Sequence, residues 1–336
     1  MTRRTGPALA LLTGTALLLA ACAEPDAEPG PDATTEATDE LVIGLTYTPD
    51  VQFAPFYVAE ARGYYEDAGV DVTLRHHGAS ESLFGALEAG EEDLVVAGGD
   101  EMLQARSAGV PVVTVATIYE EYPVVLVVPA DSDITTAADL AGHSVGIPGP
   151  FGETYFGLLA LLDSAGLTEE DVTVEHIGFT QQAALNAGHV DAVMGFANND
   201  AVQFAQAGVD VRTIPLDGVP LVGIGLGAHD DLLMNGDDDV LAAVVAATMR
   251  GVQDVADDPA AAVEIAAEHI PGLADAAARE AALATVEATV PLYGSATGQN
   301  DIGLWEDMAV FMEAQGLLEG DVDLNMAVTN DFVDSP

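Results

Sequence analysis

The chemistry-bearing residues of this 336-residue chain are aromatic rings, amides and carboxylates in short loops that follow β-rich runs. The densest group runs from His143 to Tyr155, His-Ser-Val-Gly-Ile-Pro-Gly-Pro-Phe-Gly-Glu-Thr-Tyr. It reads as a short buried strand, a Gly/Pro loop and the start of an apolar helix. Such a joint presents free backbone N–H groups and the positive end of a helix dipole. Phe151 and Tyr155 add ring faces, Gly152 completes the loop, and Glu153 adds an acceptor. These are the parts of a pocket for a small planar polar molecule. An ordinary βα turn whose aromatics belong to the core is the competing reading.

Four further loops carry the same kinds of group. Tyr47 follows the first strand, where its ring can stack on a ligand while Gln52 or Asp50 offers hydrogen bonds. Phe53 and Phe56 read instead as the packing face of the next helix. Gly98 and Gly99 would let backbone approach a ligand closely, and Asp100 beside them fits an N-cap equally well. Tyr119 offers a second ring and Glu120 a partner for an amino group, against the alternative of an exposed acidic loop. Asn198 and Asn199 supply donors and acceptors to a heterocycle edge or cap the helix that follows.

Covalent and metal chemistry find little support. Cys22 is the single cysteine, and there is neither a Gly-x-Ser-x-Gly elbow nor a Cys/His pair to supply a nucleophile. His76 and His77 are adjacent rather than at i, i+4 spacing and lack an evident third ligand, while the other five histidines are scattered. No metal and no cofactor is expected.

The elements that must hold these loops alternate. Strand-like runs at 41–46, 70–74, 93–97, 112–117 and 124–128 enclose helix-like runs at 54–68, 80–89 and 100–108, most closed by glycine. The rhythm restarts with strands at 144–147, 172–177, 191–195, 211–214 and 221–227 and helices at 153–165, 181–187 and 199–207. Residues 237–256, 259–269, 274–290 and 302–316 are nearly all helix. The expectation is an α/β protein of two lobes, each a mostly parallel sheet flanked by helices. Lobe 1 is 41–127 plus 226–336, lobe 2 is 128–225, and the chain ends in a helical tail. A hinge between such lobes suits closure around a ligand.

Ahead of the lobes, Arg3 and Arg4 precede an apolar run, Ala8 to Leu19, too short for a permanent span. Leu19-Ala20-Ala21-Cys22 resembles the lipobox of bacterial lipoproteins, which implies a signal peptide at 1–22 and a lipid on Cys22. Residues 23–40 have no large apolar side chain before Leu41 and are expected to form a disordered acidic tether. The body would then sit at the outer face of the cell membrane.

The formal charge is −48, from 8 Lys+Arg against 56 Asp+Glu, and every basic residue is Arg. Self-repulsion of this size is screened within about 3 Å at molar salt, so the composition fits a saline environment. Nucleic acid is excluded as a partner, because no basic patch exists. With 49% hydrophobic residues the chain has ample material for a large core, and its length favours two lobes over one.

Ala54-Pro55-Phe56-Tyr57-Val58-Ala59, followed by Gly63-Tyr64-Tyr65-Glu66-Asp67-Ala68-Gly69-Val70-Asp71-Val72, resembles the opening of periplasmic substrate-binding proteins of ABC importers. These include thiamine-pyrimidine-precursor, sulfonate and nitrate types. Gly149-Pro150-Phe151-Gly152-Glu153 is similar to the Gly-x-Phe-Gly loop of the thiamine-precursor branch. Phe196-Ala197-Asn198-Asn199-Asp200-Ala201-Val202-Gln203 is similar to a segment of members that bind pyrimidine precursors or riboflavin, and Thr329-Asn330-Asp331-Phe332 resembles the family's end.

The resemblance implies a type II periplasmic-binding-protein fold and a monomer. It also implies delivery of a planar nitrogen heterocycle to a permease driven by a separate ATPase. A sulfonate, taurine or nitrate binder and a ligand-sensing lipoprotein are the alternatives. Eukaryotic synthases related to this branch use a pyridoxal-phosphate-linked lysine, and this chain has no lysine, so that chemistry is closed to it. An anion site would want Arg at the cleft, yet Arg62, Arg75, Arg106, Arg212, Arg250 and Arg279 all fall outside the candidate loops. A neutral or cationic ring is therefore expected.

Overall fold

The computed structural model describes residues 39–333, apart from 47, 79, 80 and 237. The leader, Cys22, the tether as far as residue 38, and Tyr47 lie outside the described residues. The strand expected at 41–46 begins earlier and takes in the last residues assigned to the tether.

Two five-stranded sheets organise the chain. β1 (Asp39–Leu45), β2 (Val70–His76), β3 (Leu94–Gly98) and β4 (Val112–Thr117) belong to the first. β5 (Val124–Pro129), β6 (Ser144–Ile147), β7 (Thr173–His176), β8 (Ala192–Phe196) and β9 (Val211–Pro215) form the second, in the order β7-β6-β8-β5-β9. β10 (Ile224–His229) then returns to the first, giving β2-β1-β3-β10-β4. Both sheets are mixed. β1 pairs in parallel with β2 and β3, and β6 with β7 and β8, whereas β10 and β5 run antiparallel to both their neighbours. β5 and β10 are the strands entered straight after the chain crosses between sheets, so each arrives without the βα crossover that keeps neighbours parallel.

The helices are α1 (Ala54–Ala61), α2 (Tyr64–Asp67), α3 (Gly85–Glu88), α4 (Gly99–Ser107), α5 (Gly152–Ser164), α6 (Gln181–Asn186), α7 (Asp200–Gln206), α8 (Asp230–Asn235), α9 (Asp238–Asp257), α10 (Pro259–Ala266), α11 (Ala276–Thr289) and α12 (Ile302–Ala314). The single helix expected at 54–68 is two, because Gly63 takes a φ of 70° and ends α1. The helix expected at 80–89 shrinks to α3, and α8 had no counterpart in the sequence pattern.

The first core packs β1 and its neighbours against Tyr57 of α1 and Leu241, Val245 and Val252 of α9. The second joins β5, β6 and β8 to Phe156, Leu158 and Leu162 of α5 and to Trp305, Met308 and Met312 of α12. The helical tail is thus shared between the cores. Beyond α12, Thr114 of β4 donates its N–H to Ala327 at 2.8 Å and accepts from the Thr329 N–H at 3.0 Å, which fastens the end of the chain to the first sheet. No helix among the described residues is long and apolar enough to cross a membrane.

Arg62, Arg75, Arg106 and Arg279 pair with acids among the described residues, and with 56 acids against 8 Arg in the chain most carboxylates have no cationic partner. Salt should therefore stabilise this protein. Thermal melts from low to molar NaCl should show a steadily rising Tm, each kcal/mol of relieved repulsion adding roughly 2 °C in a chain of this size. A flat or falling Tm would contradict this.

Candidate ligand-binding site

A cavity of about 490 Å³ opens at the carboxyl ends of the strands of both sheets. The first sheet supplies Thr46 after β1, Val96 to Gly98 at the end of β3, Glu101 of α4, and Ile118 and Tyr119 after β4. Asp50, Gln52, Phe53, Pro55 and Phe56 close that side. The second sheet supplies Pro148 and Phe151 after β6 with Gly152 to Thr154 of α5, Phe179 and Gln181 after β7, and Phe196, Asn199, Asp200 and Gln203 at and after the end of β8.

Aromatic rings dominate the walls. Phe53, Phe56 and Tyr119 come from one side, Phe151, Phe179 and Phe196 from the other. Tyr119 is buried and held edge-on by Tyr293, their centroids 5.6 Å apart. Phe151 and Phe179 are 55% and 80% exposed, a large apolar area to leave in water at the mouth of a cavity. Rings on opposite walls suit a flat ligand that stacks between them.

The polar lining is acidic and amidic. Asp50, Glu101, Glu153 and Asp200 are its charged residues, and Gln52, Gln181, Asn199 and Gln203 its amides; among the described residues no Arg or His lines the cavity. Asp50 and Asp200 are committed to backbone: Asp50 accepts from the Gln52 N–H at 3.0 Å and Asp200 from the Phe196 N–H at 2.8 Å. Burial raises both above the usual carboxylate range.

Glu153 and Glu101 meet across the cavity over a third acid. Glu153 lies in the first turn of α5, is 8% exposed, and its Oε1 has no hydrogen-bond partner. Glu101 in the first turn of α4 accepts from the Gly98 N–H at 3.2 Å. Asp100 beside it is fully buried and accepts from the Glu101 N–H at 2.7 Å. The Tyr122 hydroxyl lies 2.6 Å from Asp100 Oδ2 and 2.9 Å from the Glu153 carbonyl oxygen. Tyr122 thus donates toward both oxygens, its one hydroxyl proton divided between them. Burial, then repulsion from Glu101, pushes Asp100 up to about 8, burial pushes Glu101 up to about 7, and burial with both neighbours drives Glu153 well above the carboxylate range. Glycine permits the crowding: a Cβ on Gly98 would stand 2.5 Å from Asp100 Oδ1 and 3.1 Å from Glu153, and Gly152 takes a φ of 70°.

Of the residues named from sequence, the fold brings Gln52, Tyr119, Phe151, Gly152, Glu153 and Asn199 to the cavity. Five others stand elsewhere. Gly99 donates to Gly223 at 2.9 Å, and a Cβ there would lie 2.6 Å from Val222, so its smallness serves contact with the crossing segment. Asp100 sits beneath the lining. Glu120 turns away to accept from the Ser295 N–H at 2.9 Å and hydroxyl at 2.6 Å. Tyr155 faces back along α5 and donates to Glu169 at 3.3 Å. Asn198 is buried, donating to Thr289 of α11 at 3.0 Å. The sequence reading passed over Glu101, Phe179 and Asp200. All three follow strand ends, so the rule that found their neighbours reaches them too.

The histidine pair is divided. His77 pairs with buried Glu92 at 2.8 Å while His76 meets the Tyr57 hydroxyl at 2.9 Å. Among the described residues no group of His, Cys, Asp and Glu is arranged to hold a metal ion.

Riboflavin-binding protein RibY of Chloroflexus aurantiacus is 33% identical to this chain over 337 residues, spanning 94% of this chain and 95% of that protein. The formylaminopyrimidine-binding protein of Halalkalibacterium halodurans is 27% identical over 234 residues, 68% of this chain and 70% of that protein. The crystal structure of the periplasmic aliphatic sulphonate binding protein SsuA from Escherichia coli superposes with a TM-score of 0.68 at 19% identity, covering 87% of this chain and 92% of that one. The fold is therefore that of a periplasmic binding protein. A family model described as NMT1/THI5 like matches residues 50–262, and this chain belongs to that family.

Proposed function

We propose that this chain is the solute-binding component of an ABC importer and captures an uncharged planar nitrogen heterocycle of riboflavin type. The observation that carries the reading is the cavity itself: rings on opposite walls, an acceptor-rich polar edge with Glu153 Oε1 unpartnered, and no lining cation among the described residues. A flavin's fused rings suit the aromatic walls, and its imide N–H suits a carboxyl or amide acceptor. The volume accommodates three fused rings, and the 33% identity to a riboflavin-binding protein points the same way. A single aminopyrimidine ring is the second reading, favoured by the formylaminopyrimidine-binding relative.

In this reading, lobe 1 (41–127 plus 226–336) and lobe 2 (128–225) close on the ligand. Cys22 carries a lipid that holds the protein outside the cell membrane, and a permease with its ATPase takes the solute onward. The Schiff-base chemistry of the related synthases is closed to the chain, which has no lysine.

A thermal-shift panel in molar salt tests the ligand class. Riboflavin at 100 times its Kd should add about 2.7 kcal/mol to stability and visibly raise the Tm. A shift with taurine or nitrate, and none with riboflavin or aminopyrimidines, would overturn the proposal.

A further inference from the structure

The N-terminus of α5, with the Gly/Pro loop before it, is the kind of joint at which other proteins hold phosphate: free N–H groups, a helix dipole and usually a cation. Here that position is filled by acids. Glu153 occupies the first turn of the helix, 8% exposed and with Oε1 unpartnered. Glu101 approaches from α4, 3.2 Å from where a Cβ on Gly152 would stand, and Asp100 is buried behind. The other charged groups on the described lining, Asp50 and Asp200, are acidic too.

We infer that the Asp100–Glu101–Glu153 trio makes the site selective for the unphosphorylated heterocycle and rejects its phosphate esters. The inference rests on the heterocycle-binding reading above and adds the form of the ligand. A phosphoryl group brought to the α5 terminus finds no cation on the described lining to pair it, and once Asp100 and Glu101 ionise, above about pH 8, it meets charge of its own sign. A neutral ring that offers an N–H or hydroxyl finds an acceptor waiting. The solute must then reach this protein already dephosphorylated. Any ester outside the cell has first to be hydrolysed, water attacking phosphorus, the phosphorus–ester oxygen bond breaking, and the free alcohol and inorganic phosphate leaving.

Flavin-fluorescence titrations of the purified full chain with riboflavin and with flavin mononucleotide, at about pH 8.5 where Asp100 and Glu101 are ionised, and in molar salt, test this. Riboflavin should bind at least about tenfold more tightly. Glu101→Gln, at a half-buried position and so safer for folding, removes an ionised carboxyl at nearly constant shape and should narrow that ratio, and Glu153→Gln, which replaces the acid by a neutral amide, should narrow it in the same direction. Equal binding of the two flavins, tighter binding of the mononucleotide, or a ratio untouched by both substitutions would overturn the inference while leaving the flavin reading intact. Binding of neither flavin would sink the flavin reading instead. The comparison is then made between a hydroxymethyl-aminopyrimidine and its phosphate, where tighter binding of the phosphate overturns the inference.

Discussion

Raising the pH from about 5.5 to about 8.5 is expected to destabilise the ligand-free protein by several kcal/mol, opposite to the behaviour of a protein held by paired carboxylates. The cause is the trio at the cavity floor. Asp100 is raised from 3.8 to about 8 and Glu101 from 4.5 to about 7, the first by burial and then Glu101's charge, the second by burial. Both folded values lie above the unfolded ones. The folded state therefore keeps protons that the unfolded chain has already released. The stabilisation is full below about pH 4 and drains away as pH climbs through 7 to 8. Each unit is worth about 1.4 kcal/mol, and about 2.5 units separate pH 5.5 from Asp100's folded value, so Asp100 contributes at most about 3.5 kcal/mol over this range, and Glu101, closer to water, less.

Tyr122 and Tyr119, the other titratable groups facing the trio, are pushed upward from 10 by burial and stay neutral over this range. Surface carboxylates are fully ionised above about pH 5.5, so their repulsion changes little there. Thermal melts across the range, repeated with Asp100→Asn, give the measurement. The native chain should lose Tm as pH rises and the Asn variant should lose much less. A native Tm that is flat or rising would refute the retention of protons by the folded trio.

Trp305→Ala should cost about 3–5 kcal/mol in denaturant unfolding, near the upper end for a single substitution. Trp305 has no exposed surface and lies in the second core with Leu103 of α4, Val222 of the crossing segment and Met308 of its own helix. Its ring edge is 3.2 Å from where a Cβ on Gly99 would stand, so it supports the first turn of α4 that carries Asp100 and Glu101. Truncation leaves a cavity that the close-packed Gly99 backbone cannot fill. Ligand affinity should fall along with stability. Trp305→Phe should cost far less, because the indole N–H has no partner among the described residues and nothing polar is lost with it. Equal losses in the two variants would contradict this.

Much of the architecture was legible from the sequence because Val/Ile runs and glycine stops mark strands and helix ends independently of their surroundings. β6 was read at its observed bounds, 144–147, and β4 likewise at 112–117. The reversed direction of β5 and β10 was not legible, since strand polarity depends on where the chain crosses between sheets. Within the site, loops after strand ends were located, but the side of the loop each side chain faces was not. Glu120 and Glu153 look alike as acids that follow a strand end. One turns to the Ser295 backbone and the other into the cavity, and only the tail's packing against the first sheet decides which. Adjacent Asp100 and Glu101 divide between floor and wall for the same reason: successive residues in a helix's first turn point about 100° apart. Phe53 and Phe56, read as packing residues, line the cavity as well as the first core, a double duty that composition does not reveal.

One titration tests the ligand class most directly: riboflavin fluorescence followed as the purified chain is added in molar salt. Quenching that saturates at one flavin per chain, and weakens when Tyr119 or Phe151 is replaced by alanine, is the predicted result. Unquenched riboflavin, together with saturable binding of a sulfonate or nitrate, would contradict the claim that this acidic, aromatic-walled cavity is built for an uncharged heterocycle.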